Sequence, residues 1–252
     1  MRFVPAAPQV KIKLPASPRV RYIRAMEFFE AVSRRRSVRN YSPRPVPPEV
    51  IHRAIDAALI APNSSNMQTW RIYWVKDTEK RKALVTACMG QGAARTAQEL
   101  LVFTCNSKHW KVSQPLLLEW AKTTPREDLK KYYGQLMPIL YGKMWLAPFK
   151  WLGLNIAGLF RPMVREVASP RDLQEVCVKS TALACQNFML AIAAQGFDTC
   201  PMEGFDSVRV RKVLGLPCSE SVVMVISVGE RTERGVWGER FRIPRELVVK
   251  EV

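Results

Sequence analysis

Ala61-Pro62-Asn63-Ser64-Ser65-Asn66-Met67-Gln68-Thr69-Trp70 is the stretch on which the reading of this chain turns. Pro62-Asn63 ends the element before it, because proline lacks an amide hydrogen and asparagine closes turns with its own side chain. That element opens at Pro47-Pro48-Glu49 and carries Val50, Ile51, Ala54, Ile55, Ala58 and Leu59 at the spacing of one helical face. On the far side, Trp70-Arg71-Ile72-Tyr73-Trp74-Val75 alternates and is rich in β-formers, which predicts a strand. The stretch is a polar loop between helix and strand, offering amides and hydroxyls without charge. Taken alone, it also has the composition of an ordinary connection.

Upstream, a helix predicted over residues 25–35 runs into Arg34-Arg35-Arg36-Ser37-Val38-Arg39-Asn40-Tyr41. Four arginines and a serine lie close together there, and a phosphate needs such forked guanidinium donors and a hydroxyl. The same run also fits a solvated basic turn. Downstream, residues 79–89 read as a helix, 99–104 as a short buried strand, and 170–194 as a long core helix ended by Gly196. Ser207 to Leu214 reads as a helix, and Ser221 to Val228 as an apolar strand interior to a sheet. Between the core helix and the helix from Ser207, Pro201-Met202-Glu203-Gly204-Phe205-Asp206 sets a tight backbone that could lie flat against a ring, or merely bend the chain between two helices. Arg240-Phe241-Arg242-Ile243-Pro244 adds two late guanidiniums, readable alone as exposed charges. Residues 110–165 are the least regular part.

In this order and at these separations, the four segments resemble the FMN-dependent nitroreductase family over residues 26–252, with 110–165 poorly matched. The resemblance implies an α+β fold: a mixed β-sheet flanked by helices, built as an intertwined homodimer with FMN at the subunit interface. It implies that Arg35, Arg36 and Ser37 lie near the FMN phosphate and ribityl chain, and Arg39 near the flavin pyrimidine edge. A cation there stabilises the charge that gathers on reduced flavin. Pro62, Asn63, Ser64, Asn66 and Gln68 would hold the ribityl hydroxyls and a flavin edge. The family pattern is Ser/Ala-Pro-Ser-x-x-Asn-x-Gln-Pro-Trp, and this chain departs from it at Asn63 and Thr69. The turn Pro201-Met202-Glu203-Gly204 would bring backbone amides to flavin N5 and O4, while Arg240 and Arg242 would reach the phosphate. Where many members carry Asn and Lys on the helix before the second strand, this chain has Gln91 and Arg95. The reaction implied is ping-pong: NAD(P)H reduces FMN by hydride transfer, and the flavin then reduces a nitroaromatic, a quinone or another flat aromatic acceptor. No acid–base side chain is assigned. Trp145 and Phe149, from an insert at about 110–165, would stack on the acceptor. The alternative among flavoenzymes is a reductive dehalogenase that uses the insert as a substrate lid.

The bulk composition bounds these readings. A chain of 252 residues with 48% hydrophobic and 24% charged residues can bury a substantial core. Its 39 Lys+Arg against 22 Asp+Glu give a net charge of +17, which attracts phosphates and acidic surfaces. Residues 1–25 form a basic, Pro-rich arm with Arg2, Lys11, Lys13, Arg19, Arg21 and Arg24 and no acid, expected to be extended. That charge also permits a function from another class: a basic, membrane-peripheral binding protein without catalysis. No nucleic-acid motif is present, so no nucleic-acid partner is expected. The six cysteines contain no C-x-x-C pair and the two histidines no zinc spacing, so no metal is expected and the thiols read as buried and reduced. With no signal-peptide core near the start, a cytoplasmic location is expected. Gly-x-Ser-x-Gly, Gly-x-Gly-x-x-Gly and Walker patterns are absent, which removes footing for a triad hydrolase or a Rossmann site.

One stretch stands apart. Over residues 144–160, Trp145, Phe149, Leu152, Ile156 and Leu159 fall on one helical face, with Lys143, Lys150, Arg161 and Arg165 around or within the run. It is too short and too broken to span a bilayer. It reads either as a lid and dimer contact over the flavin or as an interfacial helix on an anionic membrane.

Overall fold

A strand buried on both faces shows an unbroken apolar run rather than alternation, and two such runs lie side by side at the centre of this fold. The computed structural model describes residues 26–142, 146–165 and 167–252. Its sheet has the order β1-β2-β4-β3, with β1 Trp70–Trp74, β2 Glu99–Cys105, β3 Asp198–Met202 and β4 Ser221–Gly229. The two central strands are the apolar ones. Leu101, Phe103, Ile226 and Val228 point to one face, while Leu100, Val102 and Val225 point to the other.

All three strand pairings are antiparallel. The parallel component of the expected mixed sheet is, among the described residues, a single bridge from Ser37 to Thr199 on the outer edge of β3. Strand β3 is missing from the sequence reading, which leaves a bend there. It is only five residues long and contains Pro201, which an edge strand tolerates because the missing N–H falls where no ladder bond is required.

Helices α2 (Pro48–Leu59) and α9 (Pro170–Ala194) cover the first face, and α3 (Thr78–Ala87) and α10 (Ser207–Leu214) the second. Ser169 and Asp172 close a reciprocal capping box that starts α9. Gly196, at φ +86°, ends it and turns the chain into β3. Helix α9 is apolar and long enough to cross a membrane by length and composition, yet Leu173, Cys177, Phe188 and Ile192 place it in the core. Shorter helix α1 (Phe28–Arg34) precedes the arginine run, and α4 (Gly92–Arg95) starts against the Arg39 carbonyl.

Residues 110–165, irregular by sequence, are mostly helical: α5 Trp110–Lys122, α6 Glu127–Lys131, a π turn Tyr132–Leu136, α7 Met137–Tyr141 and α8 Ala147–Ala157. Most of these helices span too few turns to show periodicity. They build a satellite core from Leu117, Ala121, Tyr133, Met137 and Tyr141 against Val167 and Leu173. The C-terminal helix α11 is Arg245–Val248. The arm 1–25 and Trp145 lie outside the described residues.

All six cysteines are free. Five are buried as expected, and Cys218 is exposed, which corrects the expectation for that thiol. Burial pushes the Cys88 thiol up to about 11 and Cys105 up to about 12, so neither is a thiolate at neutral pH.

One glycine carries a measurable consequence. A Cβ on Gly229 would stand 2.8 Å from the ring of Tyr41. That ring cannot swing away, because its hydroxyl meets Ser227 Oγ at 2.9 Å inside the core. Gly229→Ala is expected to cost about 2 kcal/mol and lower the melting temperature by about 4–8 °C. An unchanged thermal transition would refute this packing.

Candidate active site

Residues Arg34 to Arg39 are tied to the sheet by backbone hydrogen bonds. Val38 N donates to Thr199 O at 3.0 Å, and Arg39 N donates to Gly235 O at 2.7 Å. The run of arginines is thereby stretched between β3 and the segment after β4. The side chains then gather round a polar cleft of ≈ 180 Å³ lined by Arg35, Arg36, Ser37, Arg39, Arg240 and Arg242. All six were expected at the flavin from the sequence, and the fold brings them together across some 200 residues of chain.

The cleft is electrostatically unbalanced. Among the described residues, none of these arginines is in a salt bridge with a carboxylate. Arg36 instead donates to Gly238 O, Arg39 to Ser37 O, and Arg240 to both Ser33 O and Arg35 O at 2.6 Å. Burial, then the charges of Arg240, Arg242 and Arg36, push the Arg35 guanidinium below its ordinary pKa. Glu239 lines the cleft but neutralises only a fraction of this charge. Like charges held this close without a counter-ion are the signature of an anion site. Trp237 closes one side, its ring over the Arg39 guanidinium at 4.3 Å. The sequence reading missed Trp237 and Phe241. Their signal was two aromatic residues set among late arginines, which one-dimensional spacing does not single out.

The Pro201–Gly204 segment begins inside β3, just past the Thr199 bridge. Met202 turns its side chain into the core, so only its backbone is available to a ligand. Gly204 is fixed from outside by Gln91, whose Nε2 donates to its carbonyl at 2.6 Å. The departure from the family pattern at Gln91 thus has a structural role here: it holds this turn.

The Pro62–Gln68 loop is strained and well anchored. Ser65, Asn66 and Gln68 have φ of 55°, 53° and 48°, a region that non-glycine residues seldom enter. Such strain concentrates at functional loops. The Asn63 side chain is used to hold the loop itself, with Oδ1 accepting from Gln68 N at 2.9 Å and Nδ2 donating to Ala61 O. Gln68 Nε2 donates to Asn66 Oδ1 at 3.1 Å. The insert grips the loop from the other side: Ser65 Oγ meets Tyr132 OH at 2.5 Å and Tyr141 OH at 2.7 Å. The Thr69 carbonyl meets His109 Nδ1 at 2.9 Å.

The two halves of the expected site do not meet within one chain. The loop hangs from β1 and the arginine cleft from β3, at opposite edges of the sheet. Three strand spacings, about 14 Å, separate those edges. Phe149 stands exposed on α8 and lines no part of the arginine cleft.

Known proteins share this architecture. The sequence profile of the nitroreductase family matches residues 32–230. The NADH dehydrogenase of Thermus thermophilus is 27% identical over 220 residues, which cover 87% of this chain and 93% of that protein. Iodotyrosine deiodinase 1 of Rattus norvegicus is 42% identical over 209 residues, covering 82% of this chain and 63% of that protein. A protein of Exiguobacterium sibiricum solved in complex with FMN has the same fold, with a TM-score of 0.66 and 21% identity over 90% of this chain and 98% of that one.

Proposed function

This chain belongs to the nitroreductase family, and from that premise we propose that it is a homodimeric, FMN-dependent NAD(P)H oxidoreductase acting on flat aromatic acceptors. The observation that carries the reading is the acid-poor arginine cleft. A terminal phosphate on Arg35, Arg36, Arg240 and Arg242, with the Ser37 hydroxyl, supplies the counter-charge that the cleft lacks. The residues therefore fit the phosphate end of FMN. FMN held there would supply the hydride-accepting and electron-passing chemistry of a ping-pong cycle. The chain's own part is to bind, orient and polarise. Arg39 presents a cation beside that cleft, held by the Ser37 carbonyl and the Trp237 ring. The Gln91-braced turn offers the main-chain amides of Met202, Glu203 and Gly204. The charge-free Asn66 and Gln68 amides offer donors for ribityl hydroxyls.

The homodimer is inferred from the split of the site across the sheet. A second copy whose Pro62–Gln68 loop approached this chain's arginine cleft would complete it. The segment after the cleft supports such pairing: Phe241 is 78% exposed, and Ile243, Leu247 and Val248 are exposed with it, apolar side chains left uncovered among the described residues.

A second reading is favoured by one observation, the 42% identity to a deiodinase. On that reading the acceptor is a halogenated phenol. One experiment tests both. The purified protein should show a flavin absorption band that bleaches anaerobically with NADPH or NADH. Reoxidation by nitroaromatics, quinones or iodophenols then identifies the acceptor class. A colourless protein that FMN cannot reconstitute would overturn the flavoenzyme reading.

A further inference from the structure

Helix α8 is packed the wrong way round for a helix of a water-exposed surface. Its one charged side chain turns inward: Lys150 Nζ donates to the carbonyls of Leu140 and Val167, the latter at 2.7 Å. The apolar side chains turn outward. Phe149, Leu152 and Ile156 are exposed, and in the turn that continues the helix Leu159 and Phe160 are 79% and 85% exposed. At 100° per residue these five occupy one arc that faces away from Lys150. Among the described residues α8 buries no side chain at all. A surface helix ordinarily places its apolar stripe on the core and its charges in water. The reversal leaves a contiguous apolar face in need of an apolar partner.

The charges that flank this helix along the chain say which partner. No acidic residue occurs between Asp128 and Glu166, while Lys130, Lys131, Lys143, Lys150, Arg161 and Arg165 do. Arg161 and Arg165 are exposed where the helix ends, and the Arg165 guanidinium lies against Gly158. Residues 1–25 add six more cations without an acid. A second copy brought to this face would present the same acid-free cationic segment, on a chain of net charge +17. An apolar layer under a negative surface answers both features at once.

We propose that the outward face of α8 docks on an anionic phospholipid bilayer. Leu152, Ile156, Leu159 and Phe160 enter the headgroup–acyl boundary, and Arg161 meets lipid phosphates. The inward tether of Lys150 keeps the face presented to the membrane.

Cosedimentation of the full-length protein with vesicles tests this, and lipid binding is read independently of the flavin. Phosphatidylglycerol-containing vesicles should pull the protein down, pure phosphatidylcholine vesicles much less, and added salt should weaken the binding. The double variant Leu159→Ser with Phe160→Ser should bind at least about tenfold more weakly. Arg161→Glu, which leaves the apolar face intact, should also weaken binding to the anionic vesicles. An unchanged absorption spectrum and mass in solution would establish that the variants are folded. No binding to phosphatidylglycerol vesicles overturns the proposal. Undiminished binding by the Leu159/Phe160 variant also overturns it, since the basic arm alone would then be the anchor. A variant that changes its oligomeric mass while binding lipid as before would assign the face to a second copy and overturn it too.

Discussion

FMN affinity is expected to fall at least about a hundredfold when Arg35 and Arg240 are both replaced by alanine. A charge-assisted hydrogen bond to phosphate contributes about 1.5–3 kcal/mol, so losing two costs about 3–6 kcal/mol. The effect on the flavin-free protein should have the opposite sign at Arg35. Burial and three neighbouring guanidiniums already disfavour the charged form of that side chain, and among the described residues it makes no ion pair. Arg35→Ala alone should therefore leave the apo protein no less stable, while weakening FMN about tenfold or more. This pattern separates a ligand site from a structural cluster, in which stability would fall with the side chain. The measurements are FMN titration by flavin fluorescence and thermal unfolding with and without FMN. Affinity unchanged within about threefold in the double variant would remove the cleft from the cofactor site.

The largest stability effect is expected at Asp198. Its buried carboxylate accepts from the Arg231 guanidinium and, at 3.1 Å, from the Arg231 backbone N–H. The Asp198 hydrogen bond, ahead of burial, sets the Arg231 pKa and raises it. The same guanidinium donates to Arg34 O at 3.2 Å, and Arg34 donates to Gly196 O at 2.9 Å. One ion pair thus joins the start of β3, the end of β4 and the arginine motif. Asp198→Ala leaves Arg231 half-buried without a counter-ion, which costs about 3–5 kcal/mol. The denaturation midpoint in urea should drop with its slope unchanged. FMN affinity should fall as well, because the Arg34–Arg39 segment loses one of its ties. A stability loss under about 1 kcal/mol would show that water replaces the pair.

Much of this was legible along the chain. The apolar runs at Leu100–Phe103 and Val222–Val228 announced central strands, since burial on both faces removes alternation. The periodicity of α2 and the length and caps of α9 announced the helices that cover one face. Arg35, Arg36, Ser37, Arg240 and Arg242 carry donors that suit a phosphate, but each run alone fitted exposed charge as well; only the order and separation of the four segments, through the family resemblance, singled them out. Strand β3 was not readable, because five residues with an internal proline carry no period of their own. The helices of 110–141 were hidden for the same reason: most are shorter than two turns.

What the residues by themselves determined is chemical identity and local period: which segments bury a face, and which groups can meet a phosphate. The tertiary structure alone decided where those faces and groups ended up. It set the arginine cleft and the strained loop on opposite edges of one sheet, turned the Met202 side chain into the core, and aimed the apolar side of α8 at solvent. A period of 3.6 or 2 says that a helix or strand has two sides. Only contacts between distant parts of the chain, such as Lys150 with Val167 or Arg231 with Asp198, decide which side faces in.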